Sequence, residues 1–434
     1  DNPRRKPLLV RGARQVGKSS TIRHLGKNFK YFLEVNVERN PEVMEFFKGS
    51  RDVKSIAAKL SDFFNVPVVP GETLLFLDEI QKCEDVIHSL WFFKEDYPEL
   101  HVIAAGSLLE FALKNLSSFG VGRVSSLFVY PMSFDEFLTA TRQEGLLRTK
   151  RNSSPMNPLP EAFYNRLVEN FRSYMLVGGM PEAVATYTET GSYRYSSDIV
   201  NEIIQGYQDD FAKYGAKANP LLLRQTLISV AHQAGAKFVY SRVEGQYRSA
   251  EVKVALEMLK DAGLIIPTYH TDANGVPLGA EINERVVKYL IHDTGVLLGI
   301  LGIDDDIDER IKEMMVADSI DLVDKGHVAE MMAGLELIKY SSPQTRHQLY
   351  YWQNMNKGTC AEVDYVIARS GSIVPIEVKS GVKGSMSSMY SLMRNPQKHI
   401  EMGIRCSLEN FGTFASPDIH GDRKSGSAGM PRPI

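Results

Sequence analysis

One stretch limits the fold of this 434-residue chain more than any other: LLVRGARQVGKSSTIRHL, from Leu8 to Leu25. Within it, Gly12-Ala13-Arg14-Gln15-Val16-Gly17-Lys18-Ser19 satisfies G-x-x-x-x-G-K-[ST]. Gly12 and Gly17 permit backbone conformations that a side chain would block. Successive N–H groups can then turn inward around a phosphate, at a helix N-terminus whose dipole favours anions. The pattern assigns Lys18 to the β- and γ-phosphates and the Ser19 hydroxyl to Mg²⁺, with Ser20 beside them in the first helical turn. At average residue frequencies a chain of this length meets the pattern by chance roughly once in fifty. Here an apolar run precedes the loop and an amphipathic one follows it, as the motif requires.

The first 140 or so residues repeat that alternation. PLLV, YFLEVNV, TLLFLDE, HVIAAGS and SLFVYP read as strands, separated by helical stretches such as STIRHLGKNF and VKSIAAKLSDFF. Strands this continuously apolar are buried on both faces, so a parallel sheet covered by helices, an α/β fold, is expected. TLLFLDE ends in two carboxylates. Asp78 is expected to hold Mg²⁺ directly or through water, and Glu79 to polarise an attacking water as general base. Ser107, at the tip of HVIAAGS, is a candidate γ-phosphate sensor or water-orienting group, with a plain turn serine as the alternative. Arg123 is a candidate stabiliser of transition-state charge, in cis or from a neighbouring subunit, with a plain surface arginine as the alternative.

The bulk numbers fit a globular protein of several domains, with 43% hydrophobic and 24% charged residues. A formal net charge of −3 makes the whole chain a poor general binder of nucleic acid and leaves room for a local basic groove. Three scattered cysteines, Cys83, Cys360 and Cys406, lack metal spacing and suit a reducing, cytoplasmic setting. No apolar run approaches the length of a membrane-spanning helix. DNPRRKPLLV lacks a signal-peptide core and an initiator Met, and reads as a trimmed start. GDRKSGSAGMPRPI reads as a disordered tail or the edge of another truncation.

Further along, residues 141–160 (RQEGLLRTKRNSSPMNPLP among them) read as a linker, and 161–235 as mainly helical with a forced turn at VGGMPE. SAEVKVALEMLKDAG reads as a helix started by Ser249 and stopped by Gly263, followed by strand LIIPTY, turn TDANG and strand VVKYLIHD. Helix followed by hairpin is the outline of a winged-helix module. Its charges nearly balance, so the helix can pack on protein as readily as enter a DNA groove. A last unit holds the helix GHVAEMMAGLELIKY and the strands LYYW, EVDYVIA and IVPIEVKS. Glu377 and Lys379, two apart on one strand, face the same side, and Asp364 lies a short turn away. Two carboxylates suit Mg²⁺, and a lysine beside them can position a water or offset charge at a phosphodiester. Glu330, on the preceding helix, is the candidate fourth member. The competing reading is an exposed hairpin of mixed charges facing solvent.

RGARQVGKS, LLFLDEIQ, AAGS, YPMSFDEFL, LVGGMPEAV, KYLIHDTGVL and AEVDYVI…PIEVKSG, in this order, resemble the bacterial and archaeal AAA+-type ATPases with a C-terminal DUF4143 region. The resemblance covers nearly the whole chain. It implies a P-loop ATPase domain over 1–145, a helical lid or linker region over 160–235, a winged-helix-like domain over 236–305, a domain similar to PD-(D/E)XK nucleases over 320–400, and a tail over 401–434. It implies ATP and Mg²⁺ as cofactors, with Gly12 to Ser19 as the Walker A loop and Asp78 and Glu79 as the Walker B pair. Glu330, Asp364, Glu377 and Lys379 match the nuclease-type signature. Two functions are expected to compete. One is an ATPase coupling nucleotide state to DNA or a protein partner, with a metal-dependent nuclease end. The other is a regulatory ATP switch whose C-terminal domain is inert.

Overall fold

The computed structural model describes residues 5–107, 109–115, 122–214, 219–302, 325–354, 361–381 and 384–415. The chain divides into two compact units. One takes in Asp1–Pro131, Glu257–Leu264 and Ser342–Arg346; the other takes in Met132–Leu256, Ile265–Ser341 and His347–Ile434.

The first unit is built on five strands, β1 (Leu8–Arg11), β2 (Tyr31–Asn36), β3 (Thr73–Asp78), β4 (His101–Ala105) and β5 (Ser125–Phe128). All pair in parallel, in the order β2-β3-β4-β1-β5. The apolar run of β3 shows why. Leu75 and Leu77 pack with Leu60, Leu90 and Phe93 on one face, and Leu74 and Phe76 with Val10 and Ile22 on the other. Alternate side chains of a strand point to opposite faces, so a strand covered on both sides has no polar position until it ends. The helix Val53–Phe64 supplies part of that cover. Asp52 starts it by accepting from the Ser55 N–H at 3.0 Å, and Val53, Ile56, Ala57 and Leu60 form its buried stripe. The order also places β4 between β1 and β3, so the loops after these three strands open at one edge of the sheet.

The first unit also receives the end of the helix Ser249–Asp261. Lys114 pairs with Asp261, and the Arg346 guanidinium donates to the Lys260 carbonyl at 2.7 Å. Gly263 follows at φ +77°, where a β-carbon would stand 3.1 Å from the Ala13 nitrogen. Glycine is therefore demanded both by the backbone and by the close approach.

In the second unit the described part of 161–235 holds the helices Glu161–Val177, Pro181–Thr190, Tyr193–Asp210 and Pro220–His232. The expected linker is corrected in part: Glu144–Arg151 is a helix with Leu146 and Leu147 buried. Its basic residues disguised the amphipathic spacing. Lys150 and Arg151 are tied down by Asp135, at 2.8 and 3.0 Å. At VGGMPE, the Gly179 N–H donates to Asp293 Oδ2 at 2.6 Å, and the other Asp293 oxygen caps the helix Thr294–Ile300 through the Val296 N–H. Two of the quoted motifs thus lock each other.

The hairpin follows its helix as expected: β6 (Ile265–Thr271) pairs antiparallel with β7 (Ile282–Ile291). Its other edge is occupied. β8 (Leu349–Gln353) pairs with β6 in parallel and β9 (Glu362–Val363) with β8, giving the order β7-β6-β8-β9. One sheet therefore runs through both the middle region and the C-terminal one. A second sheet, β10-β11-β12, comprises Tyr365–Arg369, Ser372–Val378 and Ile404–Cys406. β12 lies where a tail was expected; Ile404 registers with Ile376, which makes 401–415 part of the fold. The expected disordered stretch beyond 415, and Cys360, lie outside the described residues.

Candidate functional site

The loop after β1 turns back on itself through φ +144° at Gly12, +65° at Gln15 and +89° at Gly17. A β-carbon at Gly12 would lie 2.2 Å from the Val129 carbonyl oxygen, so only glycine fits. Ala13 and Val16 are buried and anchor the loop, while Arg14 and Gln15 are exposed at its rim. The helix Lys18–Gly26 begins at Gly17 with no side-chain cap, which leaves its first N–H groups to an anion. Ser20 is exposed in the first turn.

Lys18 is 7% exposed, and its Nζ donates to the carbonyls of Gly12 at 3.0 Å and Ala13 at 2.6 Å. Burial pulls its pKa down to about 8, against the opposing pull of Glu79 and Asp78. Ser19 Oγ donates to Asp78 Oδ2 at 3.0 Å, which joins the loop after β1 to the end of β3. The Glu79 N–H donates to the other Asp78 oxygen at 3.0 Å. Burial raises the Asp78 pKa. Glu79 sits at φ +54°, a conformation uncommon for a side-chain-bearing residue. Its carboxylate accepts from Ser107 Oγ at 3.2 Å and from the Gln81 amide. Gly106 makes room for this clamp, since a β-carbon there would meet Gln81 Oε1 at 2.1 Å.

These residues fit a Mg·nucleoside triphosphate. The glycine-bent loop, the helix N-terminus without a side-chain cap and Lys18 suit phosphate oxygens. A hydroxyl and one carboxylate suit a hard cation that takes its other ligands from phosphate and water. Among the described residues no three His, Cys, Asp or Glu side chains form a metal set of their own. Sequence reasoning missed Gln81, although it lies in the quoted LLFLDEIQ. Arg123 does not join this site within the chain. It precedes β5, whose Ser125 registers with Leu8 at the start of β1, so it stands at the opposite edge of the sheet. There it pairs with Glu95 at 3.1 Å and stacks on Trp91 at 4.0 Å.

In the second unit, Asp364 falls at the break between β9 and β10, where the chain leaves one sheet for the other. The Tyr365↔Ile376 register, carried back one residue, sets it opposite Glu377. It accepts from the Val378 N–H at 2.7 Å. Glu377 is 5% exposed, which overturns the exposed-hairpin alternative. Lys379 Nζ donates to its Oε1 at 2.7 Å, while its Oε2 is buried without a hydrogen-bond partner. Burial, then the nearby Asp364, lift the Glu377 carboxyl to about 7. Glu330, on the helix Lys325–Lys339, bonds to Lys288 of β7, which the sequence did not single out. Apart from both sites, a polar cleft of about 590 Å³ is lined by Lys253, His270, Asp272 and residues 281–285.

A β2-β3-β4-β1-β5 parallel sheet with a phosphate loop after β1 and an acid pair after β3 has the fold of a P-loop NTPase domain. Comparison with known families agrees: residues 4–138 match the AAA domain, 168–307 a domain of unknown function, DUF8612, and 325–415 another, DUF4143. The chain thus carries an N-terminal AAA domain and a C-terminal DUF4143 domain. Solved structures similar to it include a Walker-type ATPase of Pyrococcus abyssi, with 16% identity, TM-score 0.43, and 69% of this chain and 91% of that one covered. Cdc6p of Pyrobaculum aerophilum has 14% identity and TM-score 0.25, with 71% and 88% covered. The Orc1 protein of Aeropyrum pernix, solved in complex with DNA, has 12% identity and TM-score 0.29, with 70% and 88% covered. No curated protein matches the chain. No helix among the described residues is long and apolar enough to cross a membrane.

Proposed function

We propose that the chain binds Mg·ATP at Gly12–Ser19, hydrolyses it with Glu79 as general base, and uses the nucleotide state to control engagement of DNA or a protein partner. The observation that carries this is the clamp on Glu79. Ser107 and Gln81 both donate to its carboxylate, one residue from the Asp78 that meets Ser19. A carboxylate fixed at the mouth of a phosphate loop is positioned to take a proton from water as it attacks. Lys18 supplies the charge for the β- and γ-phosphates, and the loop amides hold the remaining oxygens in place. Ser19 and Asp78 would hold Mg²⁺, which when bound would supply positive charge against the charge developing on the phosphates.

The test is Glu79→Gln, which keeps the clamp's shape and removes the base. Binding of Mg·ATP is expected within a few-fold of the parent, with turnover down about a hundredfold or more. Undiminished turnover removes Glu79 from the role. Measuring turnover with and without duplex DNA separates the two partner classes. The mixed lining of the cleft beside the hairpin, Lys253 and Arg285 against Asp272, Glu281 and Glu284, favours a protein over a phosphate backbone.

A second reading, metal-dependent hydrolysis at the C-terminal end, is favoured by the buried, unpartnered Oε2 of Glu377, a residue that registers opposite Asp364. Asp364 and Glu377 would hold the cation, and Lys379 would orient a water. Loss of any Mg²⁺-dependent DNA or RNA cleavage in Lys379→Ala tests it, and absence of cleavage by the parent chain removes it.

A further inference from the structure

Lys288 is the largest departure from what the sequence announced. It sits on β7 at 1% exposure, among the least solvated lysines a chain can carry. Its Nζ lies 2.8 Å from Glu330 Oε1 and 2.5 Å from Glu362 Oε1, and 5.0 Å from the centre of the Tyr351 ring. Burial alone would discharge it; the two carboxylates outweigh burial and hold its pKa above the ordinary lysine value. Three strands and a helix contribute to this knot: β7, β8, β9 and Lys325–Lys339.

We propose that the Lys288 ammonium is the resident cation of the C-terminal acid cluster. It permanently fills the place between Glu330 and Glu362 that a divalent ion would otherwise take. Four carboxylates interact here, Glu330, Glu362, Asp364 and Glu377, no three of them arranged as a metal set while both lysines are committed. Lys379 bonds to one oxygen of Glu377, and Lys288 binds Glu330 and Glu362. Glu330 is therefore the partner of a lysine and no metal ligand. The cation-accepting end narrows to Asp364 and the free oxygen of Glu377. The chain's own side chain, carried by a strand of the preceding region, sets how many metal ions the cluster can hold. The inference concerns the acids of the second reading without requiring that they hydrolyse anything.

The experiment is Mn²⁺ binding to the full chain without nucleotide, followed by electron paramagnetic resonance. Lys288→Met, whose stem keeps the packing on Tyr351, is expected to gain one Mn²⁺ per chain over the parent. Lys288→Arg, which restores a cation, is expected to gain none, and Lys288→Met combined with Glu330→Gln is expected to lose the gain. A folded Lys288→Met chain with the parent's stoichiometry overturns the proposal, as does an equal gain in Lys288→Arg. If Lys288→Met folds only with millimolar Mn²⁺ and not with K⁺, the proposal stands; failure to fold in both overturns it. Parent binding that disappears in Glu377→Gln tests the second reading separately. A parent chain that binds no Mn²⁺ removes that reading and leaves the Lys288 comparison intact.

Discussion

The pKa of Lys18 makes the nucleotide affinity of this chain depend on pH in a way that can be calculated. In the free protein, burial lowers it to about 8. A triphosphate bound as proposed would face the ammonium directly and restore it to the ordinary lysine range or above. A group whose pKa rises on binding favours the complex below its free value and withdraws that support as the pH climbs through it. With a free pKa of about 8, roughly nine-tenths of Lys18 is charged at pH 7 and roughly one-tenth at pH 9. The apparent Kd for ATP at saturating Mg²⁺, where the triphosphate charge is constant, should therefore weaken about tenfold from pH 7 to pH 9, or about 1.4 kcal/mol. Isothermal titration at pH 7, 8 and 9, in buffers of differing ionisation enthalpy, would show the slope and the accompanying proton uptake. Lys18→Met should bind weakly and without this slope. A flat curve in the parent, or the same slope in Lys18→Met, refutes the reasoning.

Other consequences are more local. Gly263→Val combines a disfavoured backbone with a β-carbon 3.1 Å from the Ala13 nitrogen, so Mg·ATP affinity should fall several-fold. Gly71→Ala, at φ +79° with open space around it, should lower the melting temperature and leave Kd alone. The Tyr174 hydroxyl lies 2.6 Å from the Met132 carbonyl and 2.7 Å from Glu336 and accepts from Lys339 at 2.7 Å; Tyr174→Phe should cost about 1–3 kcal/mol in urea unfolding.

What the sequence disclosed and what it hid divide along a physical line. The phosphate loop was readable because its chemistry is contiguous: two glycines, a lysine and a serine within eight positions. β3 was readable because double-sided burial leaves an unbroken apolar run. The AAA-type domain and the DUF4143 region accordingly match the resemblance. Gln81 was harder, since a glutamine acquires its role only when a loop folds back on a carboxylate. Lys288 gave no local sign at all. It sits in VVKYLIHD, an apolar strand in which one lysine reads as a solvent-facing position, and its partners come 42 and 74 residues later. Arg123, a candidate in cis or from a neighbouring subunit, lies within this chain on Glu95 and Trp91, away from the phosphate loop, as the plain-arginine alternative has it. The helix Glu144–Arg151 escaped because charge dominated its composition.

The parallel pairing of β6 with β8 has a consequence for how this chain can be divided. The family boundaries, at 307 and 325, invite a cut between two portable modules. Such a cut would strip β6 of its neighbour on one side and leave Thr268 to His270 with an unpaired ladder where Leu349 to Tyr351 had been. A fragment ending there carries a bare strand edge, the template on which chains aggregate. A fragment that keeps its sheet whole must therefore carry both β6 and β8.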